Sequence, residues 1–288
     1  MKASLDCIPC LMRQAVRAAV FSTDDTALQR RAVNEAMTRL ADLPLDDIPV
    51  FLNRHIYAAV REVTGTADPF ASAKTESNQK ALALLPGIRT RIEGSFNPLY
   101  AAVEAALAGN VIDMGVEQAY DLDDGLETTF SNGNSIDDYP LFSDALEQCK
   151  NLLYLCDNAG EIALDTLLIE QLKKYTAVTA AVKSGPAIND ATLADAREVG
   201  LTDLVPVIET GAAIAGVDWD NASEEFKRAF AEADIIFAKG QANFETLDER
   251  DENIFFLFKT KCPVVARALG VKEGTTVFMS NRARGRAS

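Results

Sequence analysis

Residues 151–161 read NLLYLCDNAGE, an apolar run that ends abruptly in Asp157 and Asn158. The run from Leu152 to Cys156 is typical of a strand buried on both faces, as in a parallel sheet. A glycine and the start of a helical pattern follow it. In an open α/β sheet, ligands bind beyond the carboxyl ends of the strands. This stretch therefore predicts both a central strand and the place where a site is expected.

The Asp157–Asn158 pair has two interpretations. One carboxylate and one amide carbonyl are the oxygen ligands that hard cations such as Mg²⁺ or Mn²⁺ prefer. Asp and Asn are also common N-caps, and either residue could cap the helix that follows. The pair alone leaves both interpretations open.

After residue 150 the sequence alternates between strand and helix patterns. The strand patterns cover 151–156, 176–182, 203–208, 234–238, 253–258 and 275–279, and helical patterns cover 161–174, 190–199, 222–232 and 243–250. Strands separated by helices predict a mostly parallel, doubly wound sheet. No strand is followed by GxGxxG, and GxxxxGK[ST] is absent, so neither a dinucleotide fingerprint nor a P-loop is indicated.

The first half of the chain has only helical patterns, followed by an acidic, turn-rich connection over 121–138. We therefore predict two domains. Residues 1–145 form a helical domain, and residues 146–288 form a Rossmann-like, three-layer α/β/α domain that carries the site.

Composition excludes several classes of protein. The 288 residues carry a formal net charge of −15, which disfavours binding to nucleic acid or to an anionic membrane. No apolar run is long enough for a transmembrane helix, and the first residues lack a signal-peptide pattern. Five cysteines, an odd number, do not indicate a disulfide framework. These features predict a cytoplasmic protein, and they leave its oligomeric state open.

Polar residues recur at the ends of the later strands. The second predicted strand is followed by Lys183 and then by Asp190, the fourth ends near Lys239, and the fifth near Lys259. Each lysine alone is more typical of a solvated strand end, and Asp190 alone of a helix cap. Together at one sheet edge, carboxylates, amides and lysines suit metal-assisted phosphoryl transfer.

The amino-terminal Cys7-Ile8-Pro9-Cys10 is a second feature with possible chemistry. A CxxC pair can be a redox pair, half of a zinc site, or a helix start with an early proline. No second CxxC is present, and no strand pattern precedes Cys7. These observations favour a structural role.

Three motifs follow one another along the chain: DNAGE at 157–161, KSGP at 183–186 followed by Asn189-Asp190, and KGQAN at 239–243. In this order they resemble the family known as domain of unknown function 89, whose members are metal-dependent damage-control phosphatases. The amino-terminal CxxC, Asp68-Pro69 and GNVID at 109–113 resemble its stand-alone microbial subgroup. The resemblance covers nearly the whole chain.

The resemblance implies an active site between the two domains. It implies that a divalent metal, Mg²⁺, Mn²⁺, Co²⁺ or Ni²⁺, is held by Asp157, Asn158 and Asp190. Glu161 would orient a ligand or a water molecule. The implied substrate contacts are Asn110 and Asp113 from the helical domain, with Lys239, and also Lys183 or Lys259, holding the phosphate.

The implied substrates are phosphomonoesters of small metabolites, including sugar phosphates and phosphopantetheine-like compounds, in metabolite damage control. The attacking group, water or an aspartate, stays open at this point. Two alternatives to a phosphatase also stay open: a methyltransferase on the Rossmann-like sheet, and a non-enzymatic, metal-binding regulatory protein whose function lies in the CxxC.

Overall fold

The computed structural model describes residues 1–109 and 136–283. Residues 1–109 contain five helices: α1 (Cys7–Ser22), α2 (Thr26–Asp42), α3 (Pro49–Thr64), α4 (Ala71–Gly94) and α5 (Pro98–Gly109). The later helices are α6 (Tyr139–Leu146), α7 (Glu161–Leu172), α8 (Leu193–Glu198), α9 (Leu201–Leu204), α10 (Glu224–Glu232), α11 (Gln241–Leu247) and α12 (Pro263–Leu269).

Within the described ranges, seven strands form one sheet in the order β1–β7–β6–β5–β2–β3–β4. They are β1 (Ile136–Asp137), β2 (Asn151–Leu155), β3 (Ala177–Val182), β4 (Val207–Glu209), β5 (Ile235–Lys239), β6 (Ile254–Lys259) and β7 (Thr276–Ser280). Every pairing is parallel except that of β6 with β7. The mostly parallel sheet predicted from the sequence is confirmed.

Alternate residues of the central strands pack against helices on opposite faces of the sheet. Leu152 and Tyr154 of β2 contribute to the core under α5, α6 and α7. Leu153 and Leu155 contribute to the core under α10, α11 and α12. Since successive side chains of a strand point to opposite faces, an apolar run without polar alternation produces this three-layer α/β/α arrangement.

The amino-terminal helices pack through small residues. Ala15 of α1, Ala36 of α2 and Ala59 of α3 are fully buried in one cluster with leucine and isoleucine side chains. Alanine at these positions lets the helix axes approach closely, and the remaining apolar side chains fill the space between them. Helices α4 and α5 instead join the core of the sheet side, through contacts with α7.

Several elements differ from the sequence prediction, including β1, which lies in the predicted connection, and helix α6, which was not predicted. The strand predicted over 203–208 is observed only at Val207–Glu209, because residues 201–204 form the helical turn α9. Helix α12 was not predicted from its short sequence. The domain boundary after residue 145 stays a prediction; β1, which precedes it, pairs with β7. Among the described helices, none is both long and apolar enough to cross a membrane.

Candidate active site

A cleft of about 210 Å³ lies where the carboxyl ends of the strands face helices α1 and α3. From the helical side it is lined by one face of α1, which carries Cys7, Cys10, Leu11, Gln14 and Arg17, and by Pro49, Val50 and Asn53 of α3. From the sheet side it is lined by Asp157, Asn158, Asn189, Asp190, Gln241, Glu245, Lys261 and Cys262, among others. The lining combines acids, amides and cations at the position expected for a ligand site.

Backbone pairing brings two distant strand ends together in this cleft. Asn158, which follows β2, forms an isolated antiparallel bridge with Asp190, which follows β3. The N–H of Ala191 donates to the carbonyl of Asp157 at 2.8 Å, and the N–H of Ala159 donates to the carbonyl of Asn189 at 2.9 Å. The three predicted metal ligands therefore lie on two loops that are fixed to each other by hydrogen bonds.

Hydrogen bonds from the backbone and from helix α4 hold the loop between β2 and helix α7. Helix α7 begins after Gly160, which has no side chain to cap it, and the N–H of Ile162 donates to the carbonyl of Asn158 at 3.0 Å. The N–H of Gly160 donates to Oδ1 of Asn78 at 2.7 Å, and the fully buried Asn78 amide donates onward to Glu198 and Asp195. A side chain of α4 thus holds the loop that follows β2, and Asp157 in this loop lines the cleft.

Several carboxylates crowd this corner. Burial raises the pKa of Asp157 well above its usual value, and the nearby carboxylates of Glu161 and Asp190 raise it further. Burial also raises the pKa of Asp190 to about 6, although Lys183 and Lys261 oppose the shift. The Asn158 amide donates to Asp157 Oδ2 at 2.7 Å and to Glu161 Oε2 at 3.2 Å, which ties the three side chains together.

Glu161 belongs to a buried ionic cluster behind the cleft. Its Oε1 lies 2.6 Å from Nζ of Lys239, which also contacts Asp165 Oδ1 at 2.7 Å and the carbonyl of Ala106 at 3.0 Å. Burial lowers the pKa of Lys239, but attraction by Asp165 and Glu161 outweighs burial and raises it overall. The three N–H groups of the ammonium thus have protein partners. The substrate-binding role implied for Lys239 stays a prediction.

The other two predicted lysines lie in different surroundings. Lys183 is buried, and its Nζ donates to the carbonyl of Gly216 at 2.7 Å and lies 3.8 Å from Asp190 Oδ2. Lys259 is half-buried at the end of β6 and does not line the cleft. The remaining predicted substrate contacts, Asn110 and Asp113, lie outside the described residues.

Two cleft cations were not singled out from the sequence. Lys261 lowers the pKa of both Asp157 and Asp190, so its charge acts on the acidic corner. Arg17 of α1 lines the same cleft from the helical side, and its Nη2 is buried without a hydrogen-bond partner. A signal for Arg17 exists in the sequence: it follows Cys7, Cys10 and Gln14 at helical spacing, so polar groups recur on one face of α1.

The donor set of the acidic corner fits a hard divalent cation. Asp190 Oδ2 is buried and accepts no hydrogen bond, and it faces the same cleft as Asp157 and Asn158. A bound cation would supply the missing partner and offset the repulsion between the carboxylates. Within residues 1–109 and 136–283, no group of three His, Cys, Asp or Glu side chains could hold a metal by itself. An amide oxygen and substrate or water oxygens would have to complete the shell.

A doubly wound sheet with an acidic, cation-flanked cleft at its carboxyl edge defines an α/β enzyme of the phosphoryl-transfer type. Comparison with known proteins makes the class specific. The chain belongs to the family of the damage-control phosphatase ARMT1-like domain, which matches residues 3–277.

Relatives extend over nearly the whole chain. A damage-control phosphatase from Pyrococcus horikoshii is 38% identical over 98% of this chain and 99% of its own. A damage-control phosphatase from Archaeoglobus fulgidus is 34% identical over 96% of this chain and 98% of its own. The crystal structure of a DUF89 family protein from P. horikoshii superposes with a TM-score of 0.88 at 37% identity, covering 98% of this chain and 99% of that one.

These comparisons confirm the family recognised from the three motifs, and they identify the chain as a phosphatase with a role in damage control. They favour this function over the methyltransferase and over the non-enzymatic regulatory protein. They do not bear on the amino-terminal CxxC. In the structure, Cys7 and Cys10 carry free thiols in the first turn of α1.

Proposed function

We propose that this chain is a metal-dependent phosphomonoesterase that hydrolyses phosphate esters of small metabolites. The observation that carries the proposal is the Asn158–Asp190 bridge, which sets two buried carboxylates and an amide side by side in the cleft. The cleft volume of about 210 Å³ suits a small substrate such as a sugar phosphate or part of a phosphopantetheine-like compound. The cytoplasmic location predicted from the sequence stays a prediction.

The metal would be held by Asp157, Asn158 and Asp190. When bound, a divalent cation supplies Lewis-acid polarisation of a phosphate oxygen. The three side chains lie on the two loops that the Asn158–Asp190 bridge fixes to each other. Their oxygens would therefore move little when the metal binds. Carboxylate and amide oxygens suit Mg²⁺ and Mn²⁺, and Co²⁺ and Ni²⁺ are the other metals implied for this family.

Cations of the chain would neutralise the remaining phosphate charge. Lys261 and Arg17 line the cleft from opposite sides. A phosphate bound between them would have a positively charged side chain on each side. An arginine can bind phosphate through two parallel N–H groups, and the unpartnered Nη2 of Arg17 is one such donor. The ammonium of Lys183 already donates to the carbonyl of Gly216 and lies close to Asp190. Lys183 would therefore stabilise the charge of Asp190 and would not contact the phosphate.

Glu161 would orient the metal corner. Its Oε2 accepts from the Asn158 amide, and its Oε1 is fixed by Lys239. The side-chain nitrogen of Asn158 therefore points toward Glu161 and Asp157. Its side-chain carbonyl oxygen points away from these two carboxylates. Such support of a metal ligand commonly changes metal affinity or activity by about 10- to 100-fold when it is removed.

A hydrolysis screen on metal-free protein tests the proposal. The chelated enzyme is supplied singly with Mg²⁺, Mn²⁺, Co²⁺ or Ni²⁺ and assayed on a panel of sugar phosphates, phosphopantetheine and an aryl phosphate. We expect phosphate release only with added metal. Equal hydrolysis by the chelated enzyme would contradict metal dependence, and hydrolysis of none of the esters with any metal would contradict the substrate class.

A further inference from the structure

Unpaired polar atoms are concentrated in the cleft. Within residues 1–109 and 136–283, six buried side-chain polar atoms make no hydrogen bond, and four of them belong to cleft-lining residues: Arg17, Asn53, Asp190 and Glu245. Folded proteins leave few buried polar groups unpaired, because each costs free energy. Arg17 and Asp190 have a place in the proposed handling of phosphate and metal. The Asn53 and Glu245 side chains do not.

Both of these side chains are well buried. Glu245 is 5% exposed and Asn53 is 8% exposed. The atoms without partners are Oδ1 of Asn53, an amide oxygen that accepts hydrogen bonds, and Oε2 of Glu245, which accepts when the carboxyl group is ionised. They come from different walls of the cleft, since Glu245 lies on α11 and Asn53 on α3.

Hydrogen bonds through Gln241 connect Glu245 to Lys261, one of the cations proposed to bind phosphate. Oε1 of Glu245 accepts from the Gln241 amide at 2.8 Å, and Oε1 of Gln241 accepts from the backbone N–H of Lys261 at 2.8 Å. The backbone of Val50 also forms a hydrogen bond with the Glu245 carboxyl group, and the positive charge of the amino terminus favours its ionised form. One carboxyl oxygen, Oε1, is therefore fixed by the protein. The other is left over in a side chain that has little freedom to turn away.

Helix α11 also sets the distance from the metal corner. It starts after Gly240, which packs against the Asp157 carboxyl group. At a rise of 1.5 Å per residue, Glu245 lies about 7.5 Å further along the helix axis than Gly240. Asp157 and Glu245 both line the cleft, so a substrate whose phosphate lies at Asp157 would extend its alcohol part along the cleft toward Glu245.

We propose that Glu245 and Asn53 form a leaving-group subsite that accepts hydrogen bonds from donor groups on the alcohol part of the substrate. The inference rests on the proposed phosphatase function for the location of the phosphate. The ligand class is a phosphomonoester whose alcohol carries a hydroxyl or an N–H group a few bonds from the ester oxygen. A plain alkyl ester would leave both acceptors desolvated and unpaired, so the subsite selects against it.

Paired substrates test the subsite. Alkyl phosphates of increasing chain length are compared with the ω-hydroxyalkyl and ω-aminoalkyl phosphates of equal length, in the presence of the activating metal and at about pH 8, where Glu245 is mostly ionised because its pKa is about 7. For the wild-type enzyme we expect kcat/KM to favour the best donor-bearing ester over its alkyl match by about tenfold, as for one or two hydrogen bonds. In Glu245→Leu and Asn53→Ala this ratio should fall toward one.

Matched control variants are Glu232→Gln and Asn34→Ala, which change exposed residues of α10 and α2. They should keep the wild-type ratio. If the ω-aminoalkyl phosphate is hydrolysed with a higher kcat/KM than the ω-hydroxyalkyl phosphate, the donor group of the ligand is an amine. If the ω-hydroxyalkyl phosphate has the higher kcat/KM, the donor group is a hydroxyl. Either result supports a donor-binding subsite.

Two outcomes would overturn the inference. One is equal kcat/KM for the donor-bearing and plain esters in the wild-type enzyme. The other is a preference that Glu245→Leu and Asn53→Ala leave unchanged. Both leave the phosphatase function intact and assign the two acceptors to water. If none of these esters is hydrolysed, the proposed function fails separately. Calorimetric binding of ω-hydroxyalkyl and alkyl phosphonates then still decides whether the subsite selects donors.

Discussion

The carboxyl group of Asp157 packs against Gly240 so closely that a Cβ atom at residue 240 would overlap it. Asp157 follows β2 and Gly240 follows β5, and these two strands are neighbours in the sheet. The backbone at Gly240 has a φ of 84°, a left-handed conformation that favours glycine. Gly240 therefore makes room for the carboxylate that we propose as the principal metal ligand.

Gly240→Ala should displace the Asp157 carboxylate and reduce kcat/KM by on the order of a hundredfold, the size of effect that a misplacement of about 1 Å produces. The measurement is hydrolysis of an aryl phosphate with saturating metal. Gly270→Ala is the matched control, because Gly270 also has a positive φ of 69° but has open space where its Cβ would lie. Similar activity losses in the two variants would mean that backbone strain, and not Asp157, explains the effect.

Lys239→Met should destabilise the fold. The change removes the ammonium group that contacts both Glu161 and Asp165, two carboxylates that are buried with it. We expect the free energy of unfolding in urea to fall by roughly 3–5 kcal/mol. Adding Glu161→Gln and Asp165→Asn to the same chain should restore most of the loss. Lys227→Met, which breaks a surface pair with Glu224, should change stability by less than about 1 kcal/mol.

A different outcome for Lys239→Met would favour the role implied by the family resemblance. If Lys239 binds phosphate directly, the variant should keep its unfolding midpoint and show a raised KM for phosphate esters. The two roles therefore separate in one pair of measurements. Stability reports the ionic cluster, and KM reports contact with substrate.

Glu245→Gln should change how stability depends on pH. Burial raises the pKa of Glu245 from the ordinary 4.5 to about 7 in the folded chain. The folded state thus favours the neutral carboxyl, and this contribution to stability is present below about pH 4.5 and lost as the pH rises through about 7. Glutamine stays neutral throughout, so the variant should gain stability relative to wild type over this range, on the order of 3 kcal/mol in total.

Urea unfolding of both proteins at about pH 5 and about pH 8 measures this difference. Asp165 and Asp190 also have pKa values raised to about 6, but they titrate in both proteins and cancel in the comparison. The exposed Glu232→Gln is the control and should follow the wild-type pH dependence. Parallel curves for wild type and Glu245→Gln would show that the Glu245 carboxyl is solvated in the folded protein.

The sheet and its acidic corner were predictable because strand ends carry strong local signals. The apolar run before Asp157 leaves no polar face, which only a strand covered on both sides tolerates, and parallel strands bring their carboxyl ends to one edge. The proximity of Asp157, Asn158 and Asp190 follows from that rule. The backbone bridge between Asn158 and Asp190 fixes the loops after β2 and β3 to each other.

The surroundings of individual side chains were not predictable in the same way. Lys259 and Lys261 are two residues apart, yet only Lys261 lines the cleft, because the chain beyond β6 turns and the Lys261 N–H bonds to Gln241. Lys239 lies at a strand end but points into a buried cluster with Glu161 and Asp165. Arg17 and Asn53 reach the cleft through the packing of helices against the sheet domain, and no local pattern encodes that packing.

The most direct test of the central claim is the activity of Asp157→Asn on an aryl phosphate, measured with saturating metal after chelation and reloading. The substitution removes the charge of the principal proposed ligand and keeps its shape. Removing one crowded, buried carboxylate should leave folding intact, and Asp203→Asn, on an exposed residue, is the control. We predict a loss in kcat/KM of more than about a hundredfold together with weakened metal binding. Activity and metal binding near the wild-type level in Asp157→Asn would contradict the account.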